Sequence, residues 1–563
     1  MIKSLNKQSF SALSPYPFAR SRKINELENW PVPMEWSGLH VSSKPDRDIA
    51  MLTRSRAMCR ASLTAALLFL APSALGADAP PTSGDSNVFT RLYHAYAYEW
   101  GMASAPADPN APPSRRPLPF PPQPEDSPPY PFTDWPVGGL SPVGSSLPNA
   151  VDSPLMKAIS SGPLGKTLED SHIQIYGWVN AGGNISTAKT GYGGNAPAAY
   201  MYTPNILELD QAVIYVERVP DTVQQDHIDW GFRVSGIYGE NYRYSVGYGL
   251  FSNQLVYHNH FVGFDMPMVY GDLYIPGVAQ GLTLRLGRYI SVPDIEAQLA
   301  PNSYMYSHSM LYALDNYTNT GLIGSLKLTN NWLLQLGLSA GTETVPWNAK
   351  YVSLINPVTG LQGYQGQRDP GAQPSLTGCA QWQSDTAYDT FYLCSNSINN
   401  GTWGYNNLQW YGGTYYHKFG EKWHLSVESY YSFERNVPDV SQGYGNTPFA
   451  YFLPSNAPYE AVCPSGLTQC TAREWGLVAF LNYKFSQLDN ISLRGEVYDD
   501  INGQRTGFAT RYNNWALGWQ HWFSPQVELR PEIAFYHALD KPAFDNGTQH
   551  TIAILSGDVI WHF

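Results

Sequence analysis

The chain is poor in charge. Only 14% of its 563 residues are Asp, Glu, Lys or Arg, against roughly 25% in ordinary soluble domains. It also lacks any run of eighteen apolar residues, so no segment reads as a spanning helix. A mean hydropathy of −0.30 excludes a bundle of membrane helices. Cysteine is scarce, at 5 residues with no Cys-x-x-Cys spacing, which leaves a cysteine-built metal centre without support. The formal net charge of −12 argues against nucleic acid as a partner. There is no His-Glu-x-x-His, no Rossmann glycine fingerprint and no EF-hand, so neither a cofactor nor a metal is expected.

Aromatic residues are what the chain has instead. They make up 14% of it, with 39 Tyr and 17 Trp beside 49 Gly. Few charges, many aromatics and glycines, and moderate hydropathy suit a β-barrel with a lipid face and a polar lumen.

The N-terminal part reads as leader and linker. MLTRSRAMCRASLTAALLFLAPSALGADAPP begins at Met51 and has a basic start at Arg54, Arg56 and Arg60. An apolar core follows from Ala61 to Ala71, and small residues stand at Ala74 and Gly76. This is the layout of a secretory signal over 51–76. Translation is therefore expected to start at Met51 or Met58, with residues 1–50 disordered or untranslated and a mature chain starting near Ala77. Residues 77–170 form a proline-rich extension, expected in the periplasm, in which PADPNAPPSRRPLPFPPQPEDSPPYPFTDWP cannot pack a core. Within it, Asn87–Met102 reads as a short helix or strand. Export removes Cys59 and leaves Cys379, Cys394, Cys463 and Cys470 in an oxidising compartment, where two disulfides are expected. Local pairing, 379 with 394 and 463 with 470, is the simplest of three connectivities.

From His172 the period changes to two, and residues 171–563 read as a transmembrane barrel. In KWHLSVESYYSFE, Trp423, Leu425, Val427, Tyr431 and Phe433 alternate with His424, Ser426, Glu428, Ser432 and Glu434. Similar alternation runs through Ile491–Asp500, Val527–Phe535 and the closing TIAILSGDVIWHF. The polar faces carry acids and arginines together, which a water-filled lumen explains better than an oily core. Tight turns (KFGEKW, LTNNWL, WFSPQVEL) alternate with long connections such as 344–402 and 435–472, in which both cysteine pairs fall. The reading gives an all-β, antiparallel up-and-down barrel of about fourteen strands, with sixteen as the alternative. Tyr242–Phe251 is assigned to an outer loop. Trp561 and Phe563 end the last strand with aromatics on the lipid face, a feature that resembles the insertion signal of outer-membrane barrels.

Ten charged residues are expected to line a pore: Arg233, Arg285, Glu428, Glu434, Arg494, Glu496, Asp500, Glu528, Arg530 and Glu532. Opposed acids and bases set a transverse field and a charge preference. With six acids to four bases, mild cation preference is expected. The plainer reading is that some of these residues only brace the wall as salt bridges. Ser291–Asn316 is expected to fold inward as a constriction, in which Tyr304, Tyr306, His308 and Tyr312 stand. The three tyrosines would offer stacking faces to sugars or aromatic solutes.

Several stretches resemble the bacterial β-barrel porin type 2 family: PPYPFTDWPVGG with IQIYGWVNAGGN, LELDQAVIYVER, GRYISVPDIEAQLAPNSYMYSHSM with DNYTNTG, and RPEIAFYHALDKPAFDNGT. The resemblance covers about residues 117–563. It implies an outer-membrane barrel acting as a passive diffusion channel, with no catalytic residues to carry over. Its surroundings would be outer-membrane lipid, lipopolysaccharide, the barrel-assembly machinery and small hydrophilic solutes. Porins commonly form homo-oligomers, but no interface is readable here.

Two other classes compete. A plugged barrel would act as receptor, adhesin or structural protein through its long loops. A barrel hydrolase is the other, and Gly337–Gly341 (GLSAG) matches the nucleophile-elbow pattern. That pattern needs a strand, a sharp turn and then a helix, whereas here a strand runs into a long loop.

Overall fold

In lipid no water satisfies backbone N–H and C=O groups, and each one left open costs several kcal/mol, so a sheet can cross only if it closes on itself. The computed structural model shows that closure. It describes residues 87–99, 153–348, 372–400, 408–442 and 460–563, apart from short gaps at 192, 199, 202, 248, 257–259, 292–293, 387, 421, 487 and 525. The chain divides into residues 1–74 and 75–563. The first unit lies wholly outside the described residues, as do the signal sequence and most of the proline-rich extension.

The first strands are β1 (Gln174–Ser186), β2 (Leu207–Arg218), β3 (Asp229–Gly239), β4 (Gly263–Asp265), β5 (Val269–Ile275) and β6 (Leu282–Ile290). Next come β7 (Thr318–Lys327), β8 (Trp332–Thr342), β9 (Ser375–Gln383), β10 (Asp389–Ile398), β11 (Gln409–Lys418) and β12 (Trp423–Pro438). The series ends with β13 (Gln469–Lys484), β14 (Asp489–Asp500), β15 (Thr510–Ser524), β16 (Val527–Ala538) and β17 (Thr551–His562). Each strand pairs with its neighbours in sequence, and β1 pairs with both β2 and β17. Strands β4 and β5 both pair with β3 and form one interrupted stave, broken at Pro267, which has no N–H to give the ladder. The barrel therefore has sixteen staves.

Fourteen of these match the strands read from the sequence. The missing two are β9 and β10, a hairpin read as part of a long loop. The outer row of β9, Leu376, Gly378, Ala380 and Trp382, is thin in apolar bulk at its centre and follows a Pro- and Gly-rich stretch, so the alternation is faint there. The first cysteine pair accordingly staples two staves rather than a loop, because Cys379 and Cys394 are directly opposed. Cys463 joins Cys470 at the start of β13. Both pairings are the local ones.

The two barrel ends differ. The turns β7–β8, β11–β12, β13–β14 and β15–β16 are short, whereas the connections β1–β2, β3–β4, β6–β7, β8–β9 and β12–β13 are long. The start of β1 and the end of β17 lie at the short-turn end. There Phe563 exchanges both backbone hydrogen bonds with Gly177, at 3.0 and 2.9 Å, so the last residue is part of the seam. Three helices gather before β1: α1 (Val88–Glu99), α2 (Pro154–Ser160) and α3 (Gly165–Ser171). Ser153 caps α2 by accepting from Met156 N, with Pro154 at the first turn. Arg91 of α1 donates to Ala158 O of α2 at 2.7 Å, and Tyr96 Oη donates to His562 O at 2.8 Å beside the Trp561 ring.

Side chains sort by parity. Leu286, Leu336, Leu393, Trp515, Phe523 and Leu555 are exposed on the outside, where lipid covers them. Facing inward are Asn180, Arg285, Glu428, Arg494, Glu532 and Asp558, all buried. One close approach is visible at Gly557. A Cβ there would lie 3.0 Å from Pro531 Cα and 3.1 Å from Arg530 O, so the proline-containing stave leaves no room for a side chain. Gly557→Val should lower the urea midpoint of the folded barrel, an overpacking cost of about 1–3 kcal/mol. Gly378→Val should leave it unchanged, because a Cβ there meets only Ser395 Oγ at 3.7 Å.

Candidate pore constriction

The β6–β7 connection, 291–317, does not stand outside the barrel. Most of its described side chains are buried: Tyr304, Met305, Tyr306, Met310, Leu311 and Leu314 are each at most 2% exposed. The segment crosses the interior and is tied to staves on several sides. Tyr306 Oη donates to Asp210 Oδ1 at 3.2 Å, and Ala300 N donates to Gln211 Oε1 at 3.1 Å, both on β2. On β12, Ile295 N donates to Glu428 at 2.9 Å, Tyr304 Oη lies 2.6 Å from His424 Nε2, and Tyr430 Oη donates to Leu311 O at 2.8 Å. Leu311 N donates to Glu496 of β14 at 2.6 Å. Ser307 N donates to Glu532 of β16 at 2.9 Å. Arg530 of β16 reaches Ala300 O at 2.6 Å and Ser303 O at 2.9 Å.

The wall is notched where this segment lies closest. A Cβ at Gly182 would come within 2.5 Å of Tyr306 Oη, one at Gly476 within 2.9 Å of Leu311 Cδ1, and one at Gly518 within 2.9 Å of Met305 Cε. Missing side chains on three staves thus make room for three side chains of the segment.

Two neighbouring connections also turn inward. Glu240–Tyr244 forms a buried 3-10 turn after β3, so the Tyr242 stretch is not a strand, as read, but it folds inward rather than outward. Gln298 Nε2 donates to Asn241 O at 2.7 Å. Tyr200, from the β1–β2 connection, stacks on Tyr244 at 4.2 Å and on His308 at 3.8 Å. Three connections therefore meet in one aromatic cluster.

All ten charged residues expected on the pore wall face inward and are buried. They are not, however, open rows facing water. Arg233 pairs with Glu217 at 2.5 Å. Arg285 grips Asp272 with two bonds of 2.7 Å and lies 3.7 Å over the Tyr270 ring. Arg530 pairs with Asp558 at 2.5 Å. Arg494 donates to Ser307 O and Oγ, with Glu296 at 3.9 Å and Glu532 at 4.0 Å. Glu434 accepts from Gln504 Nε2 at 3.0 Å, and Glu528 from Gln520 Nε2 at 2.8 Å. Asp500 accepts from the backbone N–H groups of Gln504, Arg505 and Thr506, and so organises the β14–β15 connection. The tyrosines of the segment differ from expectation too. Tyr304 packs beside His424 and Phe480, Tyr306 reaches Asp210, and Tyr312 lies beside His308 and Tyr317, so their rings are buried rather than offered to a solute. His308 has Ser303 Oγ at 3.2 Å and Ala297 O at 2.5 Å from Nε2. GLSAG lies inside β8, with Ser339 within the strand, so the turn and helix of a nucleophile elbow do not follow it.

Other interior residues were missed. Asp210 stands at a β-bulge, where β1 and β2 shift register, and so falls inward beside Gln211 against the parity of its strand. Arg505, in the β14–β15 turn, donates to Leu314 O and pairs with Glu474 at 3.3 Å. Glu296, Asp294 and Asp315 belong to the inward segment, and no periodicity marks them.

Residues 172–563 match the family described as beta-barrel porin-2, OmpL-like. The chain belongs to that family and is a porin-type barrel of the bacterial outer membrane. No curated protein sequence matches it. Among solved structures it is similar to an anion-selective porin from Comamonas acidovorans, at 9% identity over 69% of this chain and 99% of that one, with a TM-score of 0.41. It is also similar to the outer-membrane channel DcaP of Acinetobacter baumannii, at 9% identity over 69% and 97%, with a TM-score of 0.42. Salmonella typhi OmpF in complex with daunomycin gives 9% identity over 69% and 97%, with a TM-score of 0.41. At such scores these likenesses carry no argument.

Burial raises the Glu296 carboxyl to about 7, although Arg494 and Ser309 pull it down. Seating this group is therefore favourable below the ordinary carboxylate range and is progressively lost as pH rises through about 7. The variant Glu296→Gln, which keeps the neutral shape, should gain melting temperature relative to the parent as pH is raised from 4.5 to 8. A difference that is flat with pH would show that Glu296 does not carry this cost.

Proposed function

We propose that this barrel passes small hydrophilic solutes passively across the outer membrane, with the inward segment 291–316 setting the constriction and a mild preference for cations. The observation that carries the reading is the seating of that segment across a polar interior, supported by the charge bookkeeping around it. The interior arginines 233, 285, 288, 505 and 530 are each matched by a carboxylate. Asp294, Asp315 and Glu428 have no arginine, lysine or histidine within ion-pair distance among the described residues, so acidic groups outnumber basic ones at the constriction. Clefts lined by one sign of charge concentrate the opposite ion.

Burial of the segment's aromatic residues favours a second reading, a plugged barrel that acts through its long connections. A planar bilayer separates the two. Stepwise conductance supports the channel, and silence supports the plug. Under a salt gradient the reversal potential should have the sign of cation preference, and clear anion selectivity would contradict the proposal. Deleting 295–312 should raise the single-channel conductance, whereas an unchanged value would place the constriction elsewhere.

A further inference from the structure

Asp294 and Asp315 stand at the two ends of the inward segment, and Glu428 stands on β12. One carboxylate oxygen from each lies within 4.8 Å of the others. The three side chains are 3%, 3% and 0% exposed. Asp294 Oδ1, Asp315 Oδ2 and Glu428 Oε1 are buried with no N–H or hydroxyl donor on them, and the Asp294 and Glu428 carboxyls lie within hydrogen-bond reach of each other. Elsewhere in the interior, Glu217, Asp265, Asp272, Glu474 and Asp558 each face an arginine. Here none does. Removing one charge of a buried pair leaves an uncompensated ion and is strongly destabilising, and three such groups together demand either protons or a cation.

The geometry points to a divalent cation held by Asp294, Asp315 and Glu428, with a hard, oxygen-seeking ion such as Ca²⁺ as occupant. Carboxylate oxygens suit Ca²⁺ and Mg²⁺ rather than the softer transition metals. Ca–O distances of 2.3–2.6 Å put two oxygens of one shell at most about 5 Å apart, and the trio satisfies that limit. Ca²⁺ tolerates irregular shells completed by backbone carbonyls and water, which three carboxylates on a bent segment would need. The cation would pin both ends of the segment to one stave. Two other anchors on that stave are hydrogen bonds, from Ile295 N to the Glu428 carboxylate and from Tyr430 Oη to Leu311 O. This inference goes beyond the channel reading and does not need it, because a plugged barrel could hold the same ion.

The test uses the full-length folded barrel in detergent, stripped with chelator and titrated calorimetrically with CaCl₂ and separately with MgCl₂. One ion per chain is expected, with a rise in melting temperature that chelator reverses. Asp315→Asn should weaken binding at least tenfold and abolish the chelator-sensitive shift, and Asp294→Asn provides the same readout if the first variant does not fold. Heat-modifiable gel mobility reports folding independently. No heat of binding and no melting shift at millimolar Ca²⁺ or Mg²⁺ in folded protein would overturn the proposal. So would a folded Asp315→Asn barrel that melts above the parent with and without Ca²⁺, since the trio would then be acids sharing protons.

Discussion

Everything in this molecule follows from the need to pair each backbone N–H and C=O where there is no water. In hydrocarbon an open strand edge costs several kcal/mol per group, so the sheet must close. Closure depends on one seam, the antiparallel pairing of β1 with β17 from Trp178–His562 to Ser186–Ile554. The exchange between Gly177 and Phe563 extends that ladder to the last residue. Once the sheet is closed, parity decides the rest, because every second side chain faces lipid and the others share an enclosed interior.

That interior is not simply wet. Its acids and arginines are buried, and a buried charge is tolerable only when paired and hydrogen-bonded. Arginine suits the task because its planar fork grips carboxylates with two bonds, as Arg285 does with Asp272. The inward segment uses the remaining valences. Glu428, Glu496 and Glu532 accept from backbone N–H groups of the segment, while Arg494 and Arg530 donate to its carbonyls. Charges that in an open tube would only set a field are therefore also the anchors of the constriction. Bracing the segment is the role these side chains share.

Much of this was legible in the sequence, and the failures have physical causes. Parity over Trp423–Glu434 and Ile491–Asp500 reads cleanly because the lipid face is bulky and the interior face is polar. It fades over Ser375–Ile398, where Gly378 and Ala380 stand on the outer row and the inward cysteines carry no polarity signal. It misleads at Asp210, because a bulge turns that residue inward. The inward course of 291–316 is suggested by its length and aromatic content. The burial of Tyr304 and Tyr306 is not, because a pattern along one segment says nothing of the glycine notches at 182, 476 and 518 on distant staves. The pairing partners of the interior charges were equally hidden, since register and not sequence spacing brings Arg530 to Asp558.

The central claim is that the β6–β7 segment sits inside the barrel, against the β15 wall. A Cβ at Gly518 would lie 3.7 Å from Met305 Cβ, within the spacing of a disulfide. The double variant Met305→Cys, Gly518→Cys should therefore form an intramolecular cross-link on oxidation in a barrel that keeps its heat-modifiable mobility. Folded protein in which both new thiols stay free and react with a bulky maleimide would contradict the account.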